Sequence, residues 1–514
     1  MNRETQHAWD YHNRTKHSYW SVRSSPHYLD WANMPSPFKI YPEIEAIPLP
    51  RDLITTGFSA LAAIADSGVA KAAQWNSISL DRLAALLYYS AGVTKTKTYP
   101  GGTIYFRAAA CAGALYPIET YVVCGSIDGL PAGVYHFSPG DFALRRLRDG
   151  DHRDVLVRAS GCEENIVRSR VVFCYSAISW RSTWKYRDRA YRYHFWDNGM
   201  ILANALAMAA AHRVPARLVM GFAEQEVNDL LGIDGERELP LSLLALGQSD
   251  RPVPPAPAGE LPALSPAMIP LSHSEVDYPS IREMHLASSL ASQNEVVAWR
   301  QPIMAADPSQ ESTEGNFPLA LVAAEELPSI GIEEVIQRRA STRRFADKPI
   351  PVSDLSTILD RATRGIAADY LPVQMQLDDI YLIVNRVEGL EPGAYFHNRA
   401  NASLDRLKRG QFSERASYLS LDQELGGDAA ATLFFMADLN RILEICGNRG
   451  YRAAQMEAGI IGGKAYIGAY ALKRGATGLT FYDDDVTEFF SPHAEGKSCI
   501  FEMAIGVPGR RPMM

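Results

Sequence analysis

Three stretches of this 514-residue chain set reactive side chains at spacings that could do chemistry. The first is QRRASTRRF (337–345). Arg339, Ser341 and Arg343 alternate, so in an extended segment their side chains converge on one face. Guanidinium forks around a hydroxyl suit a phosphate. A solvated basic turn is an equal alternative on these residues alone. The second stretch is FRAAACAGALYPIETYVV (106–123). Its small residues, Ala108 to Ala114, fill a core poorly but let a flat ligand approach the backbone. Tight packing against a neighbouring helix would use them as well. The third is RSTWKYRDRAYRYHFWDNG (181–199), where Trp184-Lys185-Tyr186 sets an amine beside a phenol. Both groups transfer protons once burial or neighbours lower their pKa. Taken alone, an ordinary surface Lys and Tyr is the simpler reading.

The elements that must position these residues come in duplicate. Residues 129–150 read GLPAGVYHFSPGDFALRRLRDG and residues 389–410 read GLEPGAYFHNRANASLDRLKRG. The match is ungapped at an offset of 260, with eight identities in 22 positions, which marks a duplicated unit. The offset holds on both sides. ETYVV (119–123) falls on DIYLI (379–383), both rich in strand formers. AYR (190–192) falls on GYR (450–452), and Asp197-Asn198-Gly199 on Glu457-Ala458-Gly459. The helical run 200–212 falls on 460–472.

Between the copies, RPVPPAPAGELPALSPA (251–267) is a stiff, proline-rich connector, and 268–328 is less regular. The expected division is domain one at 1–250, a linker and connecting segment at 251–328, and domain two at 329–514. Helical patterns such as SLDRLAALLYYSAG (79–92) and IEEVIQRRA (332–340) precede the strands. Another helix follows, and LSLLALG (241–247) or IFEMAIG (500–506) closes each copy. Strands set apart from clustered helices predict a layered α+β fold.

Composition bounds the partners. Lys and Arg number 51 against 59 Asp and Glu, a net charge of −8, which disfavours nonspecific binding to nucleic acid or to an anionic membrane. The six cysteines include no CxxC pair, so neither a zinc ribbon nor a disulfide framework is indicated; reduced thiols suit a cytoplasmic protein. The polar N-terminus MNRETQHAWDYHNRTKHS lacks the apolar core of a signal peptide. No apolar run approaches the roughly 18 residues of a membrane helix. No GxGxxG follows a strand, so a Rossmann nicotinamide site is not supported. Gly496-Lys497-Ser498 resembles the end of a phosphate loop, but Ser491 stands where that motif needs its first glycine. There is no HExxH and no GxSxG, and the 12 histidines show no metal-ligand spacing, so no metal is expected.

Together, R-A-A-A-C-A-G-A-L-Y-P, W-K-Y-R-x-R-A-Y-R-Y and RRASTRRF resemble the nitroreductase-like flavoproteins. Among these the chain is most similar to the SagB-type dehydrogenases, which oxidise thiazoline and oxazoline rings in peptides, and to the oxidation domains of nonribosomal peptide synthetases. The resemblance covers nearly the whole chain. It implies α-β-α layered domains around a mostly antiparallel sheet, an intrachain pseudo-dimer, and FMN as cofactor. The family's phosphate motif matches Arg339, Ser341, Arg343 and Phe345. Its flavin-edge loop matches 110–117, so Cys111, Ala112, Gly113, Ala114 and Leu115 are implied cofactor contacts. Ala110 and Cys111 replace a proline and a serine, which removes a hydroxyl and puts its hydrogen bond in question. The catalytic Lys-Tyr pair matches Lys185 and Tyr186. A stretch near the flavin ring matches Ala476-Thr477-Gly478-Leu479, and a C-terminal basic residue near the phosphate matches Arg510 or Arg511.

Each copy keeps what the other has lost. At offset 260, CAGALYP (111–117) falls on LPVQMQL (371–377), and Trp184-Lys185-Tyr186 on Glu444-Ile445-Cys446. Aligning Leu83 with Leu355 sets DSGVAKAA (66–73) where RRASTRRF would stand. One complete FMN site at the pseudo-dimer interface is therefore expected, with domain two gripping the phosphate and domain one supplying loop and catalytic pair. Three activities follow from the resemblance. The first is a dehydrogenase acting on a C–N or C–C bond of a small-molecule, peptide or carrier-protein-bound substrate. The second is an NAD(P)H-dependent nitroreductase or quinone-type reductase, and the third a non-catalytic flavin-binding scaffold. A further homodimer is left open.

Overall fold

A computed structural model of the chain describes residues 1–25, 27–66, 76–99, 102–257, 261–304, 317–371 and 375–509. Among the described residues, two seven-stranded sheets repeat one topology. Copy one contributes β1 (Ala46–Pro48), β2 (Ile118–Cys124), β3 (Gly133–Ser138), β4 (Ala143–Asp149), β5 (Val171–Ile178), β6 (Ala216–Val219) and β7 (Glu238–Leu246). Their order is β1-β4-β3-β2-β5-β7-β6. Copy two contributes β8 (Phe317–Pro318), β9 (Asp378–Val384), β10 (Gly393–Asn398), β11 (Ser403–Arg409), β12 (Ala431–Ala437), β13 (Gly475–Leu479) and β14 (Ser498–Gly506). Their order is β8-β11-β10-β9-β12-β14-β13. Every neighbouring pair in both sheets is antiparallel.

The offset of 260 carries through to backbone detail. The bulge between Val134 and Tyr135 recurs between Ala394 and Tyr395. The bulge between Tyr175 and Ser176 recurs between Phe435 and Met436. Bulges re-aim side chains and fix register, so their repetition ties the duplication to geometry as well as composition. Strands β2 and β5 are buried along their full length because both faces of the sheet are covered. In copy one, short helices such as Arg153–Ala159 and Glu224–Leu231 cover the outer face. Long helices cover the inner one.

Three helices of copy one bear on the site: α1 (Leu80–Ala91), α2 (Ser179–Tyr186) and α3 (Ala190–Ala211). Their counterparts are α4 (Val352–Ala362), α5 (Leu439–Cys446) and α6 (Asn448–Ala471). Helices α3 and α6 are buried nearly all round, as expected of the centre of a large core. They cross at Gly199 and Gly459, where neither helix has room for a β-carbon.

Charge locks the copies together in the same twofold way. Arg189, just before α3, and Arg192 of α3 pair with Asp483 of copy two, while Arg449 and Arg452 of α6 pair with Glu224 of copy one. All six side chains are buried, and each charge has an opposite partner, the condition under which buried ions are tolerated. Arg192 also donates to the His12 carbonyl and the Thr15 hydroxyl; Arg452 donates to the His285 carbonyl and the Ser288 hydroxyl. The helices Gln6–Arg14 and Pro279–Ala287 thus hold equivalent places. The second of them lies within the segment that the sequence marks as connecting.

Candidate active site

Helix α2 stops sharply. Arg187 adopts φ of 50°, which breaks the helix one residue after Lys185-Tyr186 and lets α3 turn back through the core. Lys185 and Tyr186 are left in the last turn, half-buried, facing a cavity of about 370 Å³. Copy one builds one wall from Ala110 to Gly113, Lys185, Tyr186, Tyr193, Trp196 and Asp197. Copy two builds the other from Ser341, Arg343, Gln423, Tyr466, Phe501 and the run Thr477 to Thr480. The complementary motifs therefore open on one space between the copies.

The loop on the copy-one side is held from several directions. Asp197 Oδ1 accepts from the Ala112 amide at 2.8 Å, and Oδ2 accepts from the Cys111 thiol at 3.1 Å. The Cys111 sulfur accepts from the Tyr116 amide at 3.1 Å. The thiol therefore makes hydrogen bonds where the resembling family has a serine. Burial raises the Cys111 pKa well above the ordinary thiol value, so the proton stays on sulfur. Burial also pushes the Asp197 carboxyl up to about 7, against the lowering effect of its two donors.

The Lys185-Tyr186 pair is tuned in opposite senses. Burial, then the nearby Arg343 guanidinium, hold the Lys185 ammonium below its usual pKa. Burial, then Tyr193 and Asp197, raise the Tyr186 phenol well above 10.0, against the lowering expected from the sequence, because desolvation disfavours the phenolate. Its ring stacks on Tyr193 with centroids 4.2 Å apart, and the Lys185 amine lies 5.3 Å from the Tyr186 ring centroid. A β-carbon on Gly113 would lie 2.8 Å from the Tyr186 hydroxyl, so glycine there makes room for the phenol.

On the copy-two side, the Thr342 amide donates to the Ala476 carbonyl at 2.9 Å, tying the basic segment to β13. The Gly478 amide donates to the Tyr466 hydroxyl at 2.7 Å, which lies 3.3 Å from the Ser341 hydroxyl. Arg343 is exposed to the cavity and has no carboxylate partner among the described residues. An unneutralised guanidinium next to a serine hydroxyl fits a phosphate, and the small-residue loop opposite fits a flat ring. The residues present thus suit FMN.

Four expected contacts are used differently. Arg339 does not line the cavity: its Nε and Nη2 donate to the Ala108 and Arg107 carbonyls at 3.0 and 3.1 Å. It clasps copy one just before the loop 110–117. Leu115 packs against Trp180 and Trp184, while Ala114 turns the loop with φ of 55°. Phe345 anchors the basic segment in a small core with Ala429, Leu479 and Ala504. Arg510 and Arg511 lie outside the described residues, as does most of DSGVAKAA. Sequence reasoning passed over Asp197, Tyr193 and Tyr466. For Asp197 a signal existed, since an acid interrupts an apolar helix at the same position in both copies.

In the equivalent region of copy two, the described residues bond to one another. The Leu218 amide, opposite number of Gly478 in the repeat, donates to the Ala367 carbonyl at 2.8 Å. Asp369 accepts from the Met220 and Gly221 amides and pairs with Arg300. Trp299 covers the end of α5 by donating to the Cys446 carbonyl at 2.8 Å. Among the described residues there is no cluster able to hold a metal ion and no helix long and apolar enough to cross a membrane.

Comparison with known proteins agrees with this architecture. The family model described as "Nitroreductase family" matches twice, over residues 73–248 and 336–506. A crystal structure of a putative nitroreductase from Anabaena variabilis superposes with a TM-score of 0.76 at 26% identity, covering 98% of this chain and 99% of that one. A putative nitroreductase of Methanocaldococcus jannaschii is 28% identical over 33% of this chain and 81% of its own length. The trifolitoxin-processing protein of Rhizobium leguminosarum bv. trifolii is 32% identical over 32% of this chain, which spans only 46% of that protein. Two family domains in one chain, with the tandem α+β fold they share, show that this protein belongs to the nitroreductase family.

Proposed function

We propose that the protein is an FMN-dependent oxidoreductase, working as a SagB-type dehydrogenase on a C–N or C–C bond of a heterocyclic, aminoacyl or peptidyl substrate. One observation carries the reading: Lys185 and Tyr186 of copy one and Ser341 and Arg343 of copy two face the same cavity. In this reading Ser341 and Arg343 hold the phosphate. The loop 111–113 and Thr477-Gly478-Leu479 border the ring. Bound FMN would supply the two-electron acceptor for the hydride that leaves the substrate.

The protein's own residues manage the proton. A lysine held below its usual pKa by burial and by Arg343 gives up its proton more readily than an exposed one, which suits a base. Lys185 takes the proton from a carbon beside a heteroatom. Tyr186, with its pKa raised, keeps its hydroxyl proton and acts as a neutral donor that orients the substrate heteroatom. The choice of dehydrogenation over NAD(P)H-driven reduction rests on this amine–phenol pair. The similarity to a trifolitoxin-processing protein favours a peptide substrate.

The test is turnover of azoline-containing peptides by FMN-loaded protein carrying Lys185→Ala. Loss of about 100-fold or more in kcat with FMN still bound, the scale of a missing general base, supports the assignment. Unchanged oxidation, or rapid bleaching of the flavin by NAD(P)H alone, contradicts it.

A further inference from the structure

The flavin-edge loop takes an unusual backbone path. Gly113, Ala114 and Tyr116 adopt φ of 62°, 55° and 51°. Two of these three are not glycine, and L-residues persist in the left-handed region only where surrounding structure holds them. The hold is a chain of hydrogen bonds spanning the loop. It runs from the Tyr116 amide to the Cys111 sulfur, and from the Cys111 thiol to Asp197. The carboxylate's other oxygen takes the Ala112 amide. Asp197 is 4% exposed and sits within α3, so the loop is moored to a helix buried nearly all round. From the far side, Arg181 donates to the Tyr116 carbonyl at 3.0 Å.

The loop in turn bounds the place of the Tyr186 hydroxyl, which would lie only 2.8 Å from a Gly113 β-carbon. We propose that Asp197, acting through Cys111, is a positioning residue: it holds loop 111–116 in its left-handed form and so places the loop backbone and the Tyr186 hydroxyl against the bound flavin. The inference rests on the flavin reading above. The other copy supports the mooring role. There Glu457, the counterpart of Asp197, accepts from the Leu377 and Asp378 amides at the start of β9. Both copies keep the acid; copy one adds a thiol that extends its reach to Tyr116.

The test uses the full chain loaded with FMN, carrying Cys162→Ser to remove the exposed thiol. Asp197→Asn, Cys111→Ala and Cys111→Ser are compared by thermal unfolding and by the visible absorption band of bound FMN, and Asp197→Asn is compared with the parent by iodoacetamide labelling of Cys111. Asp197→Asn is expected to label about 10- to 100-fold faster than the parent, the change in loop opening that follows loss of a charge-assisted hydrogen bond. Asp197→Asn and Cys111→Ala should shift the FMN band, while Cys111→Ser, which keeps a donor and acceptor, should retain the parent band. Parent-like labelling and an unshifted band in Asp197→Asn overturn the proposal. Should that variant fail to fold, a parent-like band in Cys111→Ala overturns it equally. If the parent takes up no FMN, the flavin reading fails, and the labelling rate alone decides whether Asp197 moors the loop.

Discussion

Gly199 and Gly459 meet on the pseudo-twofold axis, and a β-carbon on Gly199 would stand 2.7 Å from the Gly459 backbone. The reverse contact, from Gly459 to the Trp196 carbonyl, is equally close at 2.7 Å. The two long helices can touch there only without side chains, and the distance between the copies sets the width of the site they share.

Gly199→Ala therefore pits two effects against each other. In a helix, alanine is favoured over glycine by about 1 kcal/mol. A backbone contact cannot yield as a flexible side chain can, and forced overpacking costs about 1–3 kcal/mol or more. Net destabilisation is expected, read as a lower thermal midpoint, together with weaker FMN retention because the two walls move apart.

Gly113→Ala tests the loop at a single atom. The residue needs φ of 62°, which costs alanine about 1–2 kcal/mol. The new methyl would also displace the Tyr186 hydroxyl. The expected result is a folded, flavin-binding protein with kcat reduced well beyond that of Tyr186→Phe. Turnover equal to the parent would show that the phenol's position is unimportant.

Arg343→Gln has two consequences that separate by measurement. Removing the guanidinium takes away a phosphate partner, so FMN should dissociate more readily. It also removes a cation that lowers the Lys185 pKa, so that pKa rises. The rate limb that depends on neutral lysine then moves to higher pH, while burial still holds Lys185 below its ordinary value. An unmoved limb would separate Lys185 from the pH dependence.

Acid stability has a named contributor in His194. The ring is buried, neither nitrogen has a hydrogen-bond partner among the described residues, and burial lowers its pKa from 6.5 to about 3. Between those values the unfolded chain binds a proton that the fold refuses, so stability falls as pH drops, by about 1.4 kcal/mol per pH unit for one proton. His194→Leu should make the decline below pH 6.5 shallower. An unchanged slope would assign the acid sensitivity to His12, His285 and His397, which burial shifts the same way.

Much of this architecture was legible because duplication writes itself as an ungapped offset. Strands β2 to β4 and β9 to β11 differ by 260 at every boundary, since hairpins tolerate no insertion without losing register. The complementary loss of motifs, QRRASTRRF in one copy and Trp184-Lys185-Tyr186 in the other, foreshadowed a shared cavity. What stayed hidden was direction. An arginine suited to phosphate is equally suited to carbonyls, so the alternation of Arg339 with Ser341 and Arg343 could not reveal that Arg339 turns to the other copy. The resemblance makes Leu115 a cofactor contact, yet two tryptophans draw it inward. The pairing of Gln6–Arg14 with Pro279–Ala287 escaped notice because their shared feature is a set of carbonyls and hydroxyls that receive arginines.

The central claim is one flavin site per chain, built from both copies. Counting the FMN released on acid denaturation from protein saturated with FMN tests it most directly. About one FMN per chain is expected, with Arg343→Gln in copy two and Gly113→Ala in copy one perturbing the same bound flavin. Two FMN per chain, or none after saturation, would contradict it.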